Sequence, residues 1–190
     1  MSRHQPDLFS TASPHLPDGF RYERDLIDQA EERELVARFA ALPFREFEFH
    51  GFLGKRRVVS FGWRYDFNQG GLERTDPMPD FLLPLRHEAA LFARRAEAAF
   101  EQAIVTEYTA GAAIGWHRDR SVFGEVIGVS LLSPCTFRFR RKQETTWERA
   151  SLIVEPRSVY LLSGPSRSDW EHGIPAVSQL RYSITFRSLR

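Results

Sequence analysis

The chain has 190 residues, 42% hydrophobic and 27% charged, with a formal net charge of +1 and one cysteine, Cys135. That length suits one well-formed core; the near-neutral charge excludes a polycation that coats nucleic acid indiscriminately, and a lone cysteine excludes both a disulfide framework and a cysteine-based zinc site. No apolar run approaches membrane-spanning length and the N-terminus has no signal-peptide core, so a cytoplasmic protein without a membrane partner is expected.

Residues 1–15, rich in Ser, Pro and His, read as a flexible tail, which leaves 16–190 as one domain. Residues 28–41, DQAEERELVARFAA, read as a helix: Asp28 can cap it, Glu31 stands three residues on, and Leu35, Val36, Phe39 and Ala40 form one apolar stripe. His50 then reads as a surface histidine, and Lys55, Arg56 and Arg57 form a basic cluster. In the stretch that follows, Phe61, Trp63, Tyr65 and Phe67 alternate with Gly62, Arg64 and Asp66, which is the period of a strand or hairpin. Phe61 and Phe67 suit the core, whereas Trp63 and Tyr65, interleaved with basic residues, suit base stacking and phosphate contact.

Residues 84–102 read as a second helix, with Pro84 in its first turn and Leu85, Ala89, Phe92, Ala96 and Phe100 along one stripe. From residue 103 the chain turns to short β-rich segments: AIVTEY, GEVIGVSLL, CTFRFR, ASLIVE, SVYLL and LRYSITFR. Short strands at this spacing predict an α+β domain, a sandwich or jelly roll with the helices packed against it. A second basic cluster, Arg138 to Lys142, falls among them.

In GWHRDRS, His117 and Asp119 are one residue apart where a strand ends, so they point to the same side. His172, in SDWEHGIP before the last strand, is placed to join them from a neighbouring strand. Two histidines and one carboxylate are the facial triad of non-haem Fe(II) oxygenases, with zinc hydrolysis the competing chemistry. RYSITFR, residues 181–187, puts Arg181, Ser183, Thr185 and Arg187 on one strand face and Tyr182, Ile184 and Phe186 on the other. Two arginines about 20 Å apart along a strand, each reaching roughly 6 to 7 Å inward, leave a gap near the length of a small dicarboxylate. Guanidinium groups take carboxylates bidentately, and two surface arginines on a C-terminal edge strand are the alternative.

HxD, a histidine about fifty residues later, and RxSxTFR together resemble the AlkB family of iron and 2-oxoglutarate dioxygenases, from about Leu16 to Arg190. LPDGFRYERDLID is similar to the family's entry segment and TEYTAGAAIGWHRD to the approach to its metal site. The resemblance implies a double-stranded β-helix (jelly-roll) core with N-terminal helices packed on one sheet. It implies Fe(II) held by His117, Asp119 and His172, with 2-oxoglutarate and O2 as co-substrates. Arg181, assisted by Tyr108, would pair with the distal carboxylate, and Arg187 would engage the end nearer the metal. Ser183 and Thr106 stand where many members carry Asn to hold the co-substrate, and Ser121 stands where some carry an acid near the base. No catalytic residue beyond the metal site is implied.

The implied reaction is oxidative demethylation of alkylated bases in DNA or RNA, releasing succinate, CO2 and formaldehyde. Nucleic acid would then be the partner, with the base flipped between aromatic faces such as Trp63 or Tyr65 and the backbone on Lys55, Arg56 and Arg57. The same chemistry on a modified tRNA, a protein side chain or a small molecule is one alternative, and a non-catalytic β-sandwich binding module is another. No signal for an obligate protein partner stands out.

Overall fold

The structure, a computed structural model, describes residues 15–49, 52–66 and 70–190. The first fourteen tail residues, His50 and Phe67 lie outside the described residues. After strand β1 (Phe20–Glu23), helix α1 (Gln29–Phe39) starts at a reciprocal cap. Asp28 accepts from the backbone N–H groups of Ala30 (2.7 Å) and Glu31 (2.9 Å), and its own N–H donates to the Glu31 carboxylate (2.8 Å).

Strands β2 (Arg45–Phe49) and β3 (Phe52–Phe61) form a hairpin, and β4 (Trp63–Asp66) pairs with β5 (Gly71–Arg74) as a separate two-stranded ribbon. Gly62, with φ 76°, turns the chain between β3 and β4. The expected single aromatic row is therefore divided: Phe61 enters the core, while Trp63 and Tyr65 leave it for the ribbon.

Helix α2 (Leu83–Ala93) is shorter than the alanine-rich sequence predicts. Arg94 adopts φ 59°, its N–H caps the helix, and Phe100 already begins strand β6 (Phe100–Tyr108). Helix propensity in RRAEAAFEQ is a weak, local preference. It is overridden because β6 is hydrogen-bonded on both sides, to β3 and to β13, with Phe100, Ala103 and Val105 fully buried.

From β6 onward the chain alternates between two sheets. The remaining strands are β7 (Ile114–His117), β8 (Phe123–Leu131), β9 (Cys135–Gln143), β10 (Thr146–Val154) and β11 (Val159–Leu162). A short helix, α3 (Gly164–Ser168), precedes β12 (Glu171–Ile174) and β13 (Arg181–Leu189). The large sheet runs β1-β11-β8-β13-β6-β3-β2 and the small one β10-β9-β12-β7, every pairing antiparallel. Strands β6 to β13 distributed this way form the expected double-stranded β-helix.

Two apolar clusters follow from this layering. One lies between the large sheet and the helices and contains Leu35, Phe39, Leu85, Phe92, Ile184 and Phe186. The other lies between the sheets and contains Val126, Phe137, Phe139, Tyr160 and Trp170. Strand β13 serves both: Tyr182, Ile184 and Phe186 face the helices, while Arg181 and Ser183 face the space between the sheets, buried among the second cluster. No helix among the described residues is long and apolar enough to cross a membrane.

Candidate metal centre and co-substrate pocket

Strand β7 ends on His117, and Asp119 follows in the turn toward β8. On β12, His172 lies opposite His117, but the next registered pair is Ile174 with Ile114, so β7 carries one extra residue between them. Such a bulge re-aims side chains at a sheet edge. His117 turns inward, its ring centroid 4.3 Å from that of His172, while Trp116 lies outside the sheet against Arg138 and Arg140.

One donor atom from each of His117, Asp119 and His172 lies within 4.8 Å of the others. The His172 Nε2 to Asp119 Oδ2 separation of 3.6 Å is too long for a hydrogen bond. Asp119 Oδ2 and His172 Nδ1 are buried with no hydrogen-bond partner. His117 Nδ1 stands 3.0 Å from the Gly115 carbonyl. That oxygen only accepts, so Nδ1 carries a proton and Nε2 is the ring nitrogen turned to the site.

Burial opposes a charge on Asp119, but Arg187, then His172, His117 and Arg167, hold its carboxyl well below the usual carboxylate range. Burial, then the neighbouring His117, pushes the His172 imidazole down to about 3. An ionised Asp119 beside a neutral His172 is the protonation state that metal ligation requires of these two groups. Two nitrogens and one oxygen suit Fe(II), and the orphaned Asp119 oxygen is the kind of atom a cation satisfies.

Two arginines shape this end of the site. Arg187 donates from Nε (3.1 Å) and Nη2 (2.9 Å) to Asp119 Oδ1, and from Nη1 to Gln102 (3.3 Å). Arg187, expected at the end of the co-substrate nearer the metal, has its fork on the buried Asp119 carboxylate in this structure. Gln102 in turn donates to the Trp63 carbonyl (2.7 Å), which joins the ribbon to the metal end. Arg167, on α3, is buried and donates to the carbonyls of Gly124 (2.9 Å), Asp119 (3.2 Å), Arg120 (2.7 Å) and Phe123 (2.9 Å). One guanidinium thereby holds the whole turn from Asp119 to β8.

The residues expected to take a dicarboxylate are brought together by the β13–β6 register. Arg181 lies opposite Tyr108 and Ser183 opposite Thr106, so four expected co-substrate residues stand as two cross-strand pairs. Arg181 is 0% exposed, its Nε donates to Ser130 Oγ (3.2 Å), and its guanidinium lies 4.8 Å from the Tyr108 ring centroid. Its two terminal nitrogens have no partner. A buried guanidinium with both Nη atoms unsatisfied is costly, and a carboxylate is the group that relieves it bidentately. Tyr160 faces the same space; it fits because β8 carries Gly128, where a Cβ would collide with the Tyr160 ring.

The substrate-side expectations divide. Trp63 has Arg74 over its ring (4.3 Å) and its Nε1 near Glu101 (3.4 Å). Tyr65 has Arg120, from the turn after Asp119, at 5.1 Å, so the ribbon adjoins the metal end. Ser121 is exposed in that turn. Lys55, Arg56 and Arg57 do not form one patch, because neighbouring strand residues face opposite sides. Arg57 pairs with buried Glu107 on the helix side (2.8 and 3.0 Å), Arg56 packs on Phe47 (3.8 Å) and donates to the Ala113 carbonyl (3.3 Å), and Lys55 is exposed.

Gln102, Ser130, Tyr160 and Arg167 escape the sequence reading. Gln102 falls in the segment read as helix, and the others have no local signature; only the strand alternation of GEVIGVSLL and SVYLL points Ser130 and Tyr160 to one face.

A family model described as the 2OG-Fe(II) oxygenase superfamily matches residues 19–187. An Arabidopsis thaliana protein named Alkylated DNA repair protein ALKBH8 homolog is 29% identical over 192 residues, 87% of this chain and 54% of that protein. A Mus musculus protein named tRNA (carboxymethyluridine(34)-5-O)-methyltransferase ALKBH8 is 26% identical over 168 residues, 84% of this chain and 24% of that protein. This chain thus spans about half of the first relative and about a quarter of the second. The solved structure of OsALKBH1 superposes with a TM-score of 0.66 over 90% of this chain and 96% of that one, at 16% identity, a likeness of fold.

Proposed function

The chain belongs to the 2OG-Fe(II) oxygenase superfamily, among its AlkB-like members, and from that premise we propose that it oxidatively removes alkyl groups from nucleic-acid bases. As a member of that family it is a dioxygenase that uses Fe(II), 2-oxoglutarate and O2. The observation that carries the residue assignment is the pair of unmet demands between the sheets: a carboxylate oxygen beside two histidines, and a guanidinium with two free nitrogens. His117, Asp119 and His172 would hold the iron and Arg181 the distal carboxylate of 2-oxoglutarate, with Tyr108, Ser183 and Thr106 beside it. Iron bound there supplies O2 activation: 2-oxoglutarate is oxidised to succinate and CO2 with one oxygen atom, and the other is inserted into a C–H bond of the alkyl group.

The chain's own residues prepare that reaction. Arg187 and Arg167 hold Asp119 charged, and burial holds His172 neutral, so neither of these two groups has a proton to lose before the metal arrives. Arg181 orients the co-substrate along β13 and keeps its far end fixed. The Trp63–Tyr65 ribbon adjoins the metal end through Arg120 and Gln102, which suits aromatic contact with a base extruded from its stack. The name of the Arabidopsis thaliana relative supports alkylated nucleic acid as the substrate class. The mouse relative's name favours a second reading, the same chemistry on a modified tRNA.

The test is succinate and formaldehyde release under air with Fe(II) and 2-oxoglutarate, using methylated single-stranded DNA, methylated RNA and bulk tRNA in turn. Formaldehyde from a methylated oligonucleotide supports demethylation. Succinate formation indifferent to every nucleic acid would remove nucleic acid as the substrate and leave the oxygenase.

A further inference from the structure

The small sheet has a second face that takes no part in the site. On β9, Phe137 and Phe139 point into the core between the sheets, so Arg138, Arg140 and Lys142 project outward. On β10, Trp147 lies opposite Lys142 and Arg149 opposite Arg140 in register, and both are exposed. Arg140 sits between two indoles, its guanidinium 4.7 Å from the Trp116 ring and 4.4 Å from the Trp147 ring. Arg138 stacks on Trp116 from 4.8 Å. It does so across β12 at Gly173, which has no side chain to stand between them.

The result is a row of alternating indoles and guanidiniums across three strands. Four cations project from β9 and β10 against one outward carboxylate, Glu171, which Arg140 holds at 2.5 Å. The whole chain carries a net charge of only +1, so this face is richer in cations than the chain as a whole. Trp147 is 38% exposed, a large indole left in water at the sheet edge.

We propose that this face binds the single-stranded nucleic acid flanking the reacting nucleotide, phosphates on Arg149, Lys142 and Arg138 and unpaired bases on Trp147. The inference rests on nucleic acid being the substrate. Two features favour a nucleic-acid strand over an acidic protein. Flat indoles between cations match the alternation of base and phosphate, and stacking on an aromatic face is tolerant of sequence. The face also begins at Trp116, the residue next to His117, on the edge strand of the sheet. A strand leaving the metal end can therefore wrap around β7 without crossing the core.

The test is fluorescence anisotropy of an unmethylated 20-nucleotide single strand with the full chain, its Lys142→Gln/Trp147→Ala/Arg149→Gln triple variant, and Trp147→Phe alone. Melting curves establish that the variants fold alike. The triple variant should bind about tenfold or more weakly, with a salt slope reduced by about 1 to 2. Trp147→Phe should retain most of the affinity, and turnover of a methylated trinucleotide should be unchanged in all three. Binding of the 20-mer by the triple variant as by the wild type would overturn the proposal. So would equally tight binding of polyglutamate of matched charge by the wild type. If the wild type demethylates no oligonucleotide yet binds the 20-mer through Trp147, this surface stands and the demethylase reading falls. If trinucleotides are demethylated while the triple variant binds the 20-mer unchanged, the converse holds.

Discussion

Replacing Arg181 by methionine separates a ligand anchor from a structural arginine. The side chain is fully buried, holds one hydrogen bond to Ser130 Oγ, and leaves both terminal nitrogens unsatisfied. If those nitrogens take the distal carboxylate, two hydrogen bonds to a charged group are lost, about 1.5–3 kcal/mol each. At about 1.4 kcal/mol per decade, 2-oxoglutarate affinity should fall by about 10²- to 10⁴-fold. The protein without co-substrate should respond much less. An apolar chain of similar length removes a buried unpaired charge, a change often neutral or stabilising by about 1–4 kcal/mol. Against this stand the lost Ser130 bond, about 1 kcal/mol, and the contact with Tyr108, about 0.5–2 kcal/mol. These contributions nearly cancel, so the melting temperature should stay within several degrees of wild type, at about 2–4 °C per kcal/mol for a chain of this size. Calorimetric titration of 2-oxoglutarate onto Mn(II)-loaded protein, which avoids turnover, and a thermal scan of the metal-free protein read the two quantities separately. Binding within threefold of wild type would refute the anchor, and a melting temperature ten degrees lower would show that Arg181 is structural instead.

Asp119→Asn keeps the side-chain shape and removes its charge. Wild type at a metal concentration 100 times Kd should gain about 2.7 kcal/mol, seen as a melting shift of about 5–10 °C, and the variant should show little of it. Tyr182 is pushed up from 10.0 to about 12 by burial and by its bond to Glu107. A raised pKa favours the protonated folded form, so this contribution is complete below about pH 10 and is lost as pH rises through about 12. Tyr182→Phe should flatten the alkaline limb of a stability-against-pH series, and an unaltered slope would assign that limb to other groups. Arg94, at φ 59°, occupies the left-handed position that ends α2. Arg94→Gly should raise the urea midpoint by the equivalent of about 0.5–1 kcal/mol, and a fall would mean that the Arg94 side chain contributes more than its backbone strain costs.

What was legible in the sequence is what short-range periodicity encodes. The capped first helix, the two faces of RYSITFR and the His117–Asp119 pair depend on residues a few positions apart, and each appears in the structure where that spacing put it; His172, about fifty residues on, joins the pair from the neighbouring strand. The second helix was over-extended because nothing local in RRAEAAFEQ announces that β3 and β13 will flank it. Adjacent basic residues at 55–57 suggest a patch by proximity alone, but strand alternation sends Arg56 and Arg57 to opposite sides of the sheet. Arg167 was invisible for a different reason: its partners are four carbonyls more than forty residues away, and backbone carbonyls leave no mark on a sequence.

Strand β13 carries a consequence for how errors in this fold would be tolerated. One of its faces is hydrocarbon against the helices and the other carries Arg181 and Ser183 into the space between the sheets, so a slip of one residue would invert both at once. Arg181 and Arg187 would enter the aromatic layer beneath α1, and Tyr182, Ile184 and Phe186 would take the place of the polar residues between the sheets. A misregistered molecule would therefore lose its core together with its chemistry, and could not persist as a stable but inactive conformer. Among molecules that are folded at all, the specific activity of this enzyme should be uniform.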